Sequence, residues 1–328
     1  MRHSTTVNTN TKQKRSKPCG VVHAQGHRNF VRIPILISYH YLRKLGEERK
    51  RYFTHGGATA DGFEVMLDSG AFSAKNAGAV IELDEYMEFV STYGDQFTGG
   101  FVALDVLGNP AATASNLKVM WDAGLDPMPV HVWGDTAKKM DELFERASKI
   151  CLGGFRRPGR GPAPKGYVVD KMRMAKGRKV HWLGYTNFDM VASLTPHSCD
   201  AMSWKTGMLF AQVHVYEGKG KMTRLGRDNV ATQPISMQMK RAINDAGYTV
   251  RELQNTEQWV TNKGIHQRVT TMSWLRYVIE LRQQLGTRTF MALGTLAEVD
   301  MIKVARQLIV KHGYMKEGLS DDDTTVQV

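Results

Sequence analysis

Short apolar or β-branched runs alternate along the chain with stretches whose apolar residues recur at helical spacing. The runs Ile33–Ser38, Phe63–Leu67, Gly100–Asp105, Met128–Val132, Ile150–Gly153, Val180–Leu183, Cys199–Met202 and Thr289–Leu293 predict strands. Helical spacing covers Leu83–Val90, Asn116–Gly124 (ending on a glycine stop), Thr136–Ser148, Ser236–Ala246, Ser273–Leu285 and Leu296–Lys311. Strand–helix alternation implies a parallel sheet. About eight strands fit an α/β (β/α)8 TIM-like barrel better than a shorter doubly wound sheet. The stretch over 217–286 is too long for one βα connection and predicts extra helices beside the barrel. The domain reading is a flexible basic arm over 1–30, a barrel over 31–316 and an acidic tail over 317–328. Neither a Rossmann nor a P-loop glycine fingerprint stands at a strand-to-helix junction.

Composition narrows this further. With 328 residues and 42% hydrophobic content, the chain can bury a sizeable core. No apolar run approaches the roughly 18 residues that span a bilayer, so no membrane partner is expected. The polar, basic start lacks a secretory h-region, and three widely spaced cysteines form no disulfide framework. A cytoplasmic, reducing setting is therefore expected.

Charge adds a partner. Lys plus Arg total 44 against 32 acids, a net charge of +12, which favours a polyanion such as nucleic acid. The excess is clustered. Arg156, Arg157, Arg160, Lys165, Lys171, Arg173, Lys176, Arg178 and Lys179 lie between Phe155 and Lys179 with Asp170 as the only acid. Lys219, Lys221, Arg224 and Arg227 form a second, glycine-rich cluster. A charge run is usually a solvated face, but loops this poor in acids favour phosphate contact.

In a barrel, chemistry sits at the C-terminal ends of the strands. Asp68, Asp105 and Asp200 each close an apolar run, which brings three carboxylates to one mouth. Each alone has an ordinary reading as a turn residue. Three together suit acid/base and glycosyl chemistry, since close carboxylates are costly unless solvated, protonated or used.

Asp68-Ser69-Gly70-Ala71-Phe72 resembles the Asp-Ser-Gly-Gly-Phe motif of tRNA-guanine transglycosylases. Further motifs follow in the same order: Ala103–Gly108, Pro129–Gly134 with His131 where the family has glutamine, Leu152-Gly153-Gly154, His181-Trp182-Leu183-Gly184 and Ser198-Cys199-Asp200. The resemblance spans 33–207 and is strongest to the phage and bacterial DpdA type, which inserts 7-deazaguanines into DNA. It implies a glycosyltransferase with Asp200 as nucleophile and Asp68 as general acid/base. Asp105, His131, Gly153, Gly154, Ser69 and Phe72 would form the base pocket, with Tyr185 a further stacking candidate. Arg156, Arg157, Arg160, Lys219, Lys221 and Arg224 would hold DNA. The partners are DNA with a flipped or single-stranded guanine and a free 7-deazaguanine such as preQ0. The outcome would be modified phage DNA that evades restriction, with no cofactor.

The tRNA-acting enzymes carry a Cys-x-Cys-x-x-Cys zinc site that is missing here. His197, Cys199 and His214, or Cys19, His23 and His27, are thin substitutes, and no metal is expected. Rival readings are a zinc-free tRNA-guanine transglycosylase, a non-catalytic nucleic-acid-binding barrel, a phosphate-binding metabolic enzyme and a metal-dependent hydrolase.

Overall fold

The computed structural model describes residues 32–157, 161–261 and 263–315. The expected basic arm and acidic tail, Arg160, and the Cys19, His23 and His27 set lie outside the described residues.

Eight strands form one parallel sheet: β1 (Ile33–Ser38), β2 (Phe63–Asp68), β3 (Gly100–Phe101), β4 (Val130–His131), β5 (Lys149–Leu152), β6 (Lys179–Trp182), β7 (Ser198–Ala201) and β8 (Arg288–Leu293). Their order is β3-β2-β1-β8-β7-β6-β5-β4, so each strand lies beside its neighbour in the chain and the last pairs with the first. The sheet curls. Its two outer strands approach at one parallel bridge, Val102 with Met128. There Met128 N–H donates to the Phe101 carbonyl at 2.8 Å and Ala103 N–H to the Met128 carbonyl at 2.9 Å.

Two separate apolar clusters follow from the alternation of side chains along a strand. Ile35, Val65, Ile150, Val180, Cys199 and Met291 face the helices and join the larger cluster. The other parity gives Leu36, Met66, Val102, Val130, Cys151, Phe290 and Ala292, which pack with one another inside the curl. The inner parity also carries Glu64 and Arg288, paired at 2.8 Å near the N-terminal ends of the strands. There Lys149 Nζ donates to the Gly99 carbonyl at 2.9 Å. Polar contacts thus occupy the start of the inner space, apolar side chains its middle, and carboxylates its far end.

The helices follow their sequence cues. Asn109 caps helix Pro110–Asp122 through the Ala112 N–H, with Pro110 in the first turn, so it starts earlier than the apolar spacing alone suggested. Thr136 caps Ala137–Arg146 in the same way. The long insertion is only partly helical. An antiparallel hairpin, Gln212–Gly218 with Lys221–Gly226, precedes helices Met237–Asp245, Val250–Gln254, Gln258–Thr261 and Lys263–Leu285. The hairpin thus adds two strands ahead of the extra helices. Val213, His214, Val215 and Tyr216 are all buried, so this strand is covered on both faces and shows no alternation. Among the described residues, no helix is long and apolar enough to cross a membrane.

Candidate active site

Asp68 is the last residue of β2, in register with Ser38 of β1 and on the inner parity of the sheet. Directly after it the chain turns through Gly70 at φ +82°. The turn aims the Gly70 N–H at Asp68 Oδ2, 3.0 Å away. Only glycine fits at this point. A Cβ would lie 2.6 Å from the His40 backbone nitrogen and 2.7 Å from Ser38 Oγ.

Asp105 lies in the loop that follows β3, because the ladder ends at Phe101 rather than at the aspartate. The Ser69 hydroxyl donates to Asp105 Oδ1 at 3.2 Å and ties the two loops together. Asp68 and Asp105 are half-buried. Burial, reinforced by the charges of Asp105 and Asp200, pushes the Asp68 carboxyl up to about 7. Asp105 is also raised by burial, against the pull of the Ser69 hydroxyl. The three carboxylates predicted from the sequence therefore share one electrostatic environment.

Asp200, on β7, is held differently. Its Oδ1 accepts the Gly184 N–H at 2.7 Å and faces His181 Nε2 at 3.3 Å. His181 Nδ1 lies 2.9 Å from Ser198 Oγ. Burial lowers the His181 pKa and keeps the ring neutral, partly opposed by Asp200. A neutral ring then donates from Nε2 to the carboxylate and accepts the serine hydroxyl at Nδ1. His181 and Ser198 are wholly buried, and Asp200 is 6% exposed. The sequence reading quoted His181 and Ser198 but gave them no role. The signal was their inward parity, visible only once the Cα register pairs His181 with both Cys151 and Ser198.

Of the expected pocket residues, His131 is turned away and others are engaged within the fold. His131 faces the helix layer, not the inner space. Its Nε2 meets the Thr136 carbonyl at 3.1 Å and its Nδ1 accepts from Lys171 Nζ at 2.9 Å. Lys171 also donates to the carbonyls of Val132 and Asp135, and burial lowers its pKa to about 8. This lysine, counted from sequence as a phosphate contact, is a buried pin for the loop after β4. Ser69 is fully buried and is spent on Asp105. The Gly153 N–H donates to the His131 carbonyl, and its own carbonyl accepts the Tyr167 hydroxyl, so this backbone is already engaged. Gly154, at φ +81°, is fixed by packing: a Cβ would meet Tyr167 Oη at 2.8 Å and the Trp133 nitrogen at 3.2 Å. Tyr185 stacks on Phe155 at 5.0 Å.

The rim is apolar. Phe72, Trp133 and Met202 follow β2, β4 and β7 and are 44%, 43% and 46% exposed. Trp133 stacks on Tyr167 with centroids 4.2 Å apart. Of these, Phe72 alone was singled out from sequence.

The basic clusters separate. Arg156–Arg157 pairs with Gly161–Pro162 just beyond the end of β5, on the edge that carries the aspartates. Lys176 and Arg178 instead pair with Asp141. The 212–226 hairpin runs along helix Lys263–Leu285: His214 Nδ1 accepts from Trp274, and Lys219 N–H donates to Glu280. At the tip, Gly220 packs against Phe188, in the first turn of helix Phe188–Leu194 that follows β6. Lys219 and Lys221 are exposed at this tip, and Lys221 pairs with Glu217 at 3.0 Å. Arg224 lies across from His214, nearer the start of the hairpin.

Among the described residues no group of three His, Cys, Asp or Glu side chains is placed to hold a metal ion. Cys199 contacts Thr289 Oγ1, and His214 accepts from Trp274. No protein-family model and no curated protein matches the sequence.

Proposed function

We propose that the curled sheet is a (β/α)8 barrel and that the chain is a transglycosylase. It would exchange guanine in DNA for a 7-deazaguanine base through a covalent aspartyl–sugar intermediate. The observation that carries the reading is the division of labour among the carboxylates. Asp68 is raised to about 7, suited to passing a proton at neutral pH, while Asp200 is gripped through one oxygen only.

Asp200 attacks C1′ and forms the ester as the C1′–N9 bond breaks. Asp68 donates its proton to the departing guanine. The incoming base then gives its N9 proton to Asp68, and N9 displaces Asp200 from C1′. Asp105, with one oxygen held by Ser69, offers the other to the N1–H and exocyclic amine of the base. The exposed Phe72 and Trp133 at the rim suit stacking on a flipped base or its neighbours.

The test is incorporation. Purified protein is mixed with labelled 7-cyano-7-deazaguanine and either guanine-containing DNA or tRNA, and label is counted in washed polymer. We expect label in DNA, abolished by Asp200→Asn, with DNA affinity within about twofold of the parent, because that substitution removes no phosphate contact. Label in tRNA alone moves the protein to the tRNA-acting branch. Label in neither polymer refutes the exchange reading.

A further inference from the structure

Resting on the reading of Asp200 as the nucleophile, we propose that Ser198 and His181 form a buried relay. It holds Asp200 by one oxygen and presents the other to the sugar. These two are positioning residues: neither touches substrate, and both act through the carboxylate.

The geometry has three parts. Ser198 and Asp200 are two residues apart on β7, so both side chains point into the curl. His181, on the adjacent strand, is in register with Ser198. Its ring bridges the two, 2.9 Å from Ser198 Oγ and 3.3 Å from Asp200 Oδ1. The Gly184 N–H reaches the same Oδ1 at 2.7 Å from the loop that follows β6. Two donors thus converge on Oδ1, and among the described residues none is hydrogen-bonded to Oδ2.

The relay has a direction. The serine hydroxyl can donate or accept, but the carboxylate only accepts when ionised. Asp200 therefore demands a proton on Nε2. Ser198, donating to Nδ1, fixes that tautomer. Reversing the tautomer would set a ring lone pair against Asp200 Oδ1 inside a buried site. The T-shaped contact of the ring with Phe290, centroids 5.8 Å apart, limits its rotation.

The surrounding charges fit this assignment. Lys149, at the start of β5, opposes protonation of the ring. Asp68 and Asp105 face the same space from β2 and the loop after β3. A carboxylate set beside two others needs fixed donors. The relay and the Gly184 N–H supply them without adding a titrating cation.

The experiment combines kinetics with a tautomer measurement. Three variants are made: Ser198→Ala, His181→Asn and His181→Gln. A glutamine amide can reach Asp200 as Nε2 does, whereas asparagine is too short. With DNA and labelled 7-cyano-7-deazaguanine, we expect His181→Asn to lose about 10- to 100-fold in kcat, as for removal of an outer-shell partner. Its KM should stay within about threefold, and His181→Gln should recover most of the loss. Ser198→Ala should lose less than His181→Asn.

In the parent, long-range 1H–15N spectra of the histidine ring should give the Nε2–H tautomer, and Ser198→Ala should mix the two forms. Parent-like kcat in all variants, or equal loss in His181→Gln and His181→Asn, overturns the proposal. So does an Nδ1–H or doubly protonated ring in the parent. Thermal unfolding of each variant separates loss of fold from loss of positioning. If the parent exchanges no base, the functional reading fails, and the tautomer and its response to Ser198→Ala alone decide the relay.

Discussion

Asp68 and Asp200 are the same side chain in two settings. Asp68 has the Gly70 and Ser69 backbone N–H groups and two acidic neighbours, and its carboxyl is raised to about 7. Asp200 has the Gly184 N–H and the His181 ring directed at one oxygen. The difference has a consequence for stability. The ordinary Asp value is 3.8, so between about 4 and 7 the folded protein holds a proton at Asp68 that the unfolded chain has released. Stability contributed by this site is therefore lost as pH rises through that window, and the full penalty stands above 7. A rise from 3.8 to about 7 bounds this penalty at about 4 kcal/mol. Asp68→Asn keeps an acceptor for Gly70 and removes the titration. Its unfolding temperature should match the parent near pH 4 and exceed it by several degrees at pH 8. A constant offset at every pH would remove Asp68 as the raised group.

At the scale of elements, the turn after β2 is the most constrained. Gly70→Ala would combine a positive φ with a Cβ driven against the His40 backbone nitrogen. Gly108 has a nearly identical φ, +83°, but open space around its missing Cβ. The left-handed conformation costs alanine about 1–2 kcal/mol at either site, and overpacking adds about 1–3 kcal/mol at Gly70 alone. Urea denaturation should find Gly70→Ala the less stable of the two by the second amount. Equal midpoints would mean that the turn relaxes freely.

The strands themselves were legible because each is an apolar run closed by a turn, and the three aspartates were legible because each follows such a run. Parity was not. In Val130-His131-Val132 both flanks are apolar, so nothing in the sequence says that His131 faces Lys171 rather than the inner space. The hairpin was hidden for a related reason, being buried on both faces, and its turn uses Lys219 and Gly220 at positive φ instead of an Asn-Gly pair. The His181–Asp200 contact depends on the register between β6 and β7, which local pattern does not encode.

For the molecule as a whole, charge and site coincide only in part. The net charge of +12 is a property of the entire chain. Of the two basic clusters expected to grip DNA, the hairpin tip with Lys219 and Lys221 lies among acids, with Lys219 N–H on Glu280 and Lys221 paired with Glu217. The Arg156–Arg157 ladder begins where β5 ends, on the side of Asp68 and Asp200. A strand fed to the mouth should therefore feel the second cluster more than the first. Counterion release puts a number on the contrast. Each phosphate contact steepens the log–log salt dependence of binding by about 0.7 on single strands and about 0.9 on duplex. Replacing Arg156, Arg157 and Arg160 with glutamine should flatten the slope by about 2 to 3 and weaken binding at low salt. Lys219→Gln with Lys221→Gln should leave the slope nearly unchanged, although it removes comparable charge. Titrations of a fluorescent guanine-containing oligonucleotide at several salt concentrations measure both slopes. If the two variants flatten it equally, the protein binds DNA through its overall charge, and the edge that carries the carboxylates has no special hold on the strand.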